Sequence, residues 1–176
     1  MNLIHRLGTA ASRALAVFLL GLAALAPQLA SAQALTDYAE NKIIDAVMRA
    51  QTLGAPATWY VALFTSACSD SAVGTEVTGG SYARASLAAS LANWAGTQSA
   101  GSTVASSGTG GQTSNNSAIT FSPNPSAGWG TVTHIGLMDS LTSGNMWVCV
   151  ALGTSKTINS GDTVQFASGA LTVTFQ

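Results

Sequence analysis

Residues 58–65, TWYVALFT, leave this chain the least freedom. Successive side chains of a strand point to opposite faces. Here both sets are apolar, with Trp59, Val61 and Leu63 on one face and Tyr60, Ala62 and Phe64 on the other. A β-rich run of this kind reads as a strand buried on both sides, so the rest of the chain must supply a layer above it and a layer below. The later sequence offers short strand-like runs at regular spacing: 117–121 ending at Pro123 and Pro125, then 130–138, 145–152, 163–166 and 170–175, with Gly- or Asp-bearing turns between them. In the last run Leu171, Val173 and Phe175 alternate with Thr172 and Thr174 across the pleat. Residues 81–91 are Ala-rich and ambiguous, and are read as a further strand.

Before the first strand the hydrophobic period is helical. Ala39, Ile43, Ala46, Val47 and Ala50 recur at three- and four-residue steps and give one apolar face. Thr36 or Asp37 can cap the start, and Asp37 with Glu40 has capping-box spacing. Acidic residues crowd the first turn while Arg49 lies near the last, as the helix dipole favours. Gly54 and Pro56 are expected to stop the helix. The expected fold is therefore mainly β: an antiparallel β-sandwich or flattened barrel of six to seven strands, with one N-terminal α-helix. Residues 95–116 are almost wholly Gly, Ser, Thr, Asn and Gln and bury too little to fold alone. They read as a flexible, exposed loop.

The first 32 residues have a different logic. Arg6 and Arg13 precede 13 residues, 14–26, without a charged or polar side chain, and Pro27 and the small residues Ala30, Ser31 and Ala32 follow. That is the three-part pattern of a secretory signal peptide, its apolar run being too short to span a bilayer. Cleavage is expected between Ala32 and Gln33, with a second site after Ala34. This gives two parts, a signal peptide over 1–32 and one β-rich structural domain over 33–176. The product would be exported, periplasmic or extracellular, if the leader is removed, and the membrane would be met only through the leader during export.

The domain after the leader holds four basic and seven acidic residues, a formal charge of −3. With only Lys42, Arg49, Arg84 and Lys156 to neutralise phosphates, nucleic acid is not an expected partner. Two cysteines and one histidine supply no zinc-ligand spacing, and no cofactor motif is present. Residues 79–81, GGS, lack the lysine and the frame of a phosphate loop. Cys68 and Cys149 fit either a single disulfide, which an oxidising compartment would allow, or two small buried hydrophobes. His134 with Asp139 five residues on is the sole inventory for a Ser/His/Asp hydrolase, and no Gly-x-Ser-x-Gly elbow accompanies it. Asp70, Glu76, Asp139 and Asp162 all fall in or beside turns, where carboxylates cap backbone. No catalytic set is expected. Of the four tryptophans, Trp59 and Trp147 lie in strand runs and read as core. Trp94 and Trp129 border loops and are the candidates for an interface.

Several stretches together resemble a family of small tailed-phage virion proteins, the phage tail-fibre-like structural proteins: ALTDYAENKIID from Ala34, APATWYVALFTS from Ala55, GTEVTGGSYAR from Gly74, WGTVTHIGLMD from Trp129 and TSKTINSGDTVQFASGALTVTF from Thr154. The likeness runs in order over 34–176. It implies a non-enzymatic particle component working in many copies, with homo-oligomer contacts, contacts to other particle proteins, or both, and a virion location where no export occurs. Two departures stand out: the leader precedes the position where such proteins usually begin, and 91–114 is longer and richer in Gly and Ser. The competing reading is an exported carbohydrate- or surface-binding module using Trp94, Trp129 and the polar loop.

Overall fold

The computed structural model describes residues 35–175. The leader and the expected cut between Ala32 and Gln33 lie outside the described residues. One helix, α1 (Asp37–Met48), precedes eight strands: β1 (Thr58–Phe64), β2 (Ala85–Ala88), β3 (Gln112–Ser114), β4 (Ile119–Thr120), β5 (Gly130–Met138), β6 (Met146–Ile158), β7 (Gln165–Phe166) and β8 (Thr172–Thr174). All strand pairs are antiparallel. Four strands form the main sheet in the order β2-β1-β5-β6, and β3 with β8 and β4 with β7 make two small ones. The mainly β, antiparallel class with one helix is as expected. Among the described residues the strands number eight, the polar segment contributing β3.

The doubly apolar run is buried on both faces. Val61 and Leu63 join Ile135, Leu137, Phe121, Ile119, Leu171 and Val173 in the large core, which the small sheets help to close. Ala62 and Phe64 face the other way and pack with Cys68, Met138 and Met146 in a second cluster. In register, Ala62 lies opposite Gly136 of β5. A Cβ at Gly136 would fall 2.7 Å from Phe64 Cε2 and 3.1 Å from Met146 Sδ. That position must be glycine for the Phe64 ring to lie flat against the sheet.

Strand β6 is one edge of the main sheet and the longest element among the described residues. Its ladder with β5 is broken: Val132 pairs with Lys156 but His134 pairs with Ala151, five steps on β6 against two on β5. Residues 152–155 therefore bulge out of the ladder. The outer edge near its start is covered by the chain entering α1. Leu35 bridges Val148, Thr36 N–H donates to Trp147 O at 3.0 Å, and Thr36 Oγ1 donates to Met146 O.

Thr36 is the helix cap, accepting from the Ala39 N–H, so the Asp37–Glu40 box does not form and Asp37 is the first helical residue. The helix also ends earlier than Gly54 and Pro56 predict. Ala50 takes φ 55°, and Arg49 and Gln51 N–H groups both close on Asp45 O. The left-handed residue just after the last turn terminates the helix, here without a glycine.

Residues 95–116 do not form one open loop. Thr97 is held by Ser106 and Ser107, and Gln98 by Ser102, Ala105 and Ser107. The segment ends in β3 and then Asn115, which has no exposed surface. The Asn115 amide donates to Ser117 O and Ala167 O, each at 2.8 Å, and its Oδ1 accepts from Leu171 N–H at 2.8 Å. One side chain thus ties the polar segment to the turn before β8.

Candidate assembly face

An apolar groove of about 850 Å³ opens between the start of α1, the strand ends and the polar segment. Its floor is core: Leu137, Trp147, Val148 and Val173 are buried. Its walls are Trp59, Leu91, Trp94, Phe175, Ile43 and Leu53, and no charged side chain lines it. Trp147 is held from two sides by edge-on contacts with Tyr38 and Trp59, at 5.5 and 5.7 Å between ring centres. Strand β1 fixes Trp59, the Leu35–Val148 bridge fixes the lip, and Trp94 is set by its own bridge to Asn115. The Trp94 Nε1–H is buried and has no hydrogen-bond partner. A buried indole N–H usually has one, and this donor, closed off from solvent, has none.

Beside the groove the helix presents its apolar side to solvent. Ile43 belongs to the groove wall, and Ile44, Val47 and Met48 continue outward from it, Val47 being 73% and Met48 78% exposed. Of the face read from sequence only Ala39 is buried. The periodicity is real, but the described residues bury one position of it. The helix is anchored instead by Ala39, Tyr38 and the Thr36 cap, while Asp45 and Arg49 pair at 2.7 Å along its exposed flank.

The interface candidates separate. Trp94 is at the groove. Trp129, also expected at an interface, is 4% exposed and belongs to the chain's own core. It packs edge-on against Tyr82 and Phe121, and its Nε1–H donates to Gly80 O at 3.0 Å. The turn before Trp129 does not leave it outside, because Gly80, with φ 54°, lets the backbone close over the indole. Cys68 and Cys149 are joined in disulfide geometry with Cα atoms 6.0 Å apart, at the edge of the second cluster.

His134 and the carboxylates of Asp139 and Asp162 do not converge. The His134 ring bonds Thr133 Oγ1 at 2.9 Å, and Asp139 lies about 16 Å further along an extended strand at 3.3 Å per residue. Asp139 caps the β5–β6 turn, accepting from Asn145 N–H and side chain and from Trp147 Nε1–H. Burial alone would raise its carboxyl pKa, but the Asn145 and Trp147 hydrogen bonds together hold it below the ordinary value. Asp162 caps Asn159. Among the described residues no three His, Cys, Asp or Glu side chains are grouped to hold a metal ion.

Glu76 is the exception to turn capping. It accepts two bonds from Arg84, at 2.8 and 2.7 Å, and one from the Tyr82 hydroxyl at 3.0 Å, while Tyr82 accepts from Leu63 N–H in β1. The Arg84 side chain is 7% exposed. It reaches Ser140 O and Ser143 O, both at 2.7 Å, and so ties the β5–β6 hairpin tip to the segment before β2. The bonds to Glu76 push the guanidinium pKa above its usual value, outweighing its burial. Burial, with Glu76 adding to it against the Leu63 N–H, pushes the Tyr82 phenol far above its ordinary value. Every group in this cluster is satisfied by another protein group, which makes it structural.

Compared with known protein families, residues 34–174 match the model described as podophage GP4 fiber I protein gp80. No curated protein matches the chain.

Proposed function

The chain belongs to the podophage GP4 fiber I protein gp80 family of phage structural proteins, and on that premise we propose that it works by assembly, docking in many copies onto itself or onto other particle proteins, and catalyses nothing. The observation that carries this reading is the uncovered apolar face: a helix that leaves Ile44, Val47 and Met48 in water, next to an uncharged groove. Contiguous exposed apolar surface of this kind marks interaction sites. The poverty of charge elsewhere permits dense packing with little ionic repulsion. Particles purified by density gradient and probed with antibody to the chain test the proposal. Co-migration with the virion band supports it. A protein found only free, never with particles, overturns it.

The leader and the cysteines support an exported route to that assembly. A signal peptide over 1–32 would deliver the domain to a compartment where the Cys68–Cys149 bond can persist. N-terminal sequencing together with thiol titration checks both at once. A first residue of Gln33 or Leu35 with no free thiol is the expected outcome, and an intact Met1 with two free thiols contradicts it.

A further inference from the structure

We propose that a second cavity, framed by the bulge of β6 and the turn into β7, binds a neutral sugar ring through its hydroxyl groups. The cavity holds about 410 Å³ and shares no lining residue with the apolar groove. Neither Trp94 nor Trp129 lines it. Backbone geometry makes it. The β5–β6 ladder slips between the Val132–Lys156 and His134–Ala151 pairs. Leu152, Thr154, Lys156 and Ile158 form one wall, being alternate residues of the kind that share one face of a strand. Residues 162–166 form another. Bulges recur beside active sites because they re-aim side chains.

The lining states what the occupant must be. Leu63, Val132 and Ile158 are buried and give an apolar floor. Leu152, Val164 and Phe166, packed against the same core, add apolar surface at the sides. Above these stand Thr154, Lys156, Asp162, Thr163 and Gln165. Among the described residues the ion pairs are Asp45–Arg49 and Glu76–Arg84, so Lys156 and Asp162 line one cavity without pairing. Asp162 gives one carboxylate oxygen to Asn159 N–H and keeps the other free. The ammonium can only donate and the carboxylate only accept, while the two hydroxyls and the amide do both. One charge of each sign lines the cavity, so an occupant with net charge gains from one and is opposed by the other. The occupant is therefore neutral, carries several groups that both donate and accept, and has an apolar face. A pyranose has these properties together: hydroxyls around its edge and C–H groups on its faces. The volume lies in the lower part of the roughly 300–1,000 Å³ range of small-molecule sites, a size for a small sugar or one residue of a polysaccharide. The inference does not depend on the assembly reading, since the two surfaces are separate.

The test is a nuclear magnetic resonance titration of the isotope-labelled full chain with the methyl pyranosides of glucose, galactose and mannose. At least one should move the backbone amide signals of residues 152–166, with a dissociation constant in about the millimolar range for a ligand of this size. Lys156→Met keeps the apolar stem and removes the charged donor, and should weaken binding at least about tenfold. Gln165→Leu should weaken it about threefold or more. Lys156 and Gln165 are exposed, and the dispersion of the spectrum reports that each variant keeps the fold. Lys42→Met removes the same charge elsewhere and should leave binding unaltered. The inference is overturned if no signal moves with any of the three sugars at about 50 mM, well above a millimolar dissociation constant. Shifts confined to residues outside 152–166 overturn it too, as does binding that survives both Lys156→Met and Gln165→Leu. Tighter binding of methyl glucuronoside or glucosamine than of the neutral sugars overturns the assignment of a neutral ligand. None of these outcomes alters whether the chain co-migrates with particles, so the site and the assembly reading fail separately.

Discussion

Phe64 and Met48 are large apolar side chains on regular secondary structure, yet Phe64 has no exposed surface and Met48 is 78% exposed. Phe64 sits where the chain answers its own demand: Gly136 is cut back to admit the ring, Met146 closes over it, and Cys68 and Cys149 brace the cluster. Met48 sits on a face for which the described residues supply no cover. Apolar character measures the need for burial, and topology decides whether the need is met within one copy. The β-core is closed by the described residues, whereas the helix face and the groove stay open among them.

The contrast predicts a steep gradient of mutational cost. Phe64→Ala should have the largest effect, destabilising by about 4 kcal/mol through lost burial and a cavity the rigid sheet cannot close, read from the shift in chemical-denaturation midpoint. Arg84→Ala follows at about 3 kcal/mol, since it strands a half-buried Glu76 and frees two hairpin carbonyls. Asn115→Ala should cost about 2 kcal/mol, because Ser117 O, Ala167 O and Leu171 N–H lose one shared partner. A smaller effect is expected from pH. The Asp139 carboxyl is depressed in the fold, so its contribution is complete above the ordinary carboxylate value of about 4 and is lost as pH falls through the lower folded value. Tyr82 acts at the other end, its contribution present below about pH 10 and lost as pH rises toward its raised folded value. Denaturation midpoints of Asp139→Asn against the unaltered protein across the acid range should converge as pH falls. Smallest of all, Met48→Gln and Val47→Thr should change the stability of the isolated monomer by no more than about 0.5 kcal/mol. If Met48→Gln cost the monomer as much as Phe64→Ala, the two surfaces would not differ in kind.

What sequence made legible follows the same division. Strand β1 stood out because double burial writes an unbroken apolar run, and β5 was readable to its ends over Gly130–Met138. β4, β7 and β8 were found as longer runs whose pairing covers only two or three residues each. The helix was readable from its caps and period, but periodicity says nothing about whether a face is covered by the same chain. Trp129 reads as exposed because a Pro/Gly turn precedes it in sequence, while the close approach of Gly80 that buries it is a tertiary fact. Asn115 gave no signal at all: one amide in a tract of Ser, Thr, Gly and Asn looks like its neighbours until the turn it serves, more than fifty residues on, is known. The Arg84–Glu76–Tyr82 cluster lay in GTEVTGGSYAR as three ordinary polar residues, their spacing alone carrying no sign of convergence.

The bulge at residues 152–155 has a consequence for the β6 edge of the sheet. An unprotected sheet edge recruits strands from other molecules and leads to aggregates without defined size. Proteins commonly guard edges with charge, and β6 has a single charged residue, Lys156, in thirteen. Here backbone geometry does the guarding: the ladder is interrupted where the edge would otherwise run on, and its first part is occupied by Leu35 and Thr36. Strand addition along this edge therefore meets an interrupted ladder at one end and an occupied one at the other.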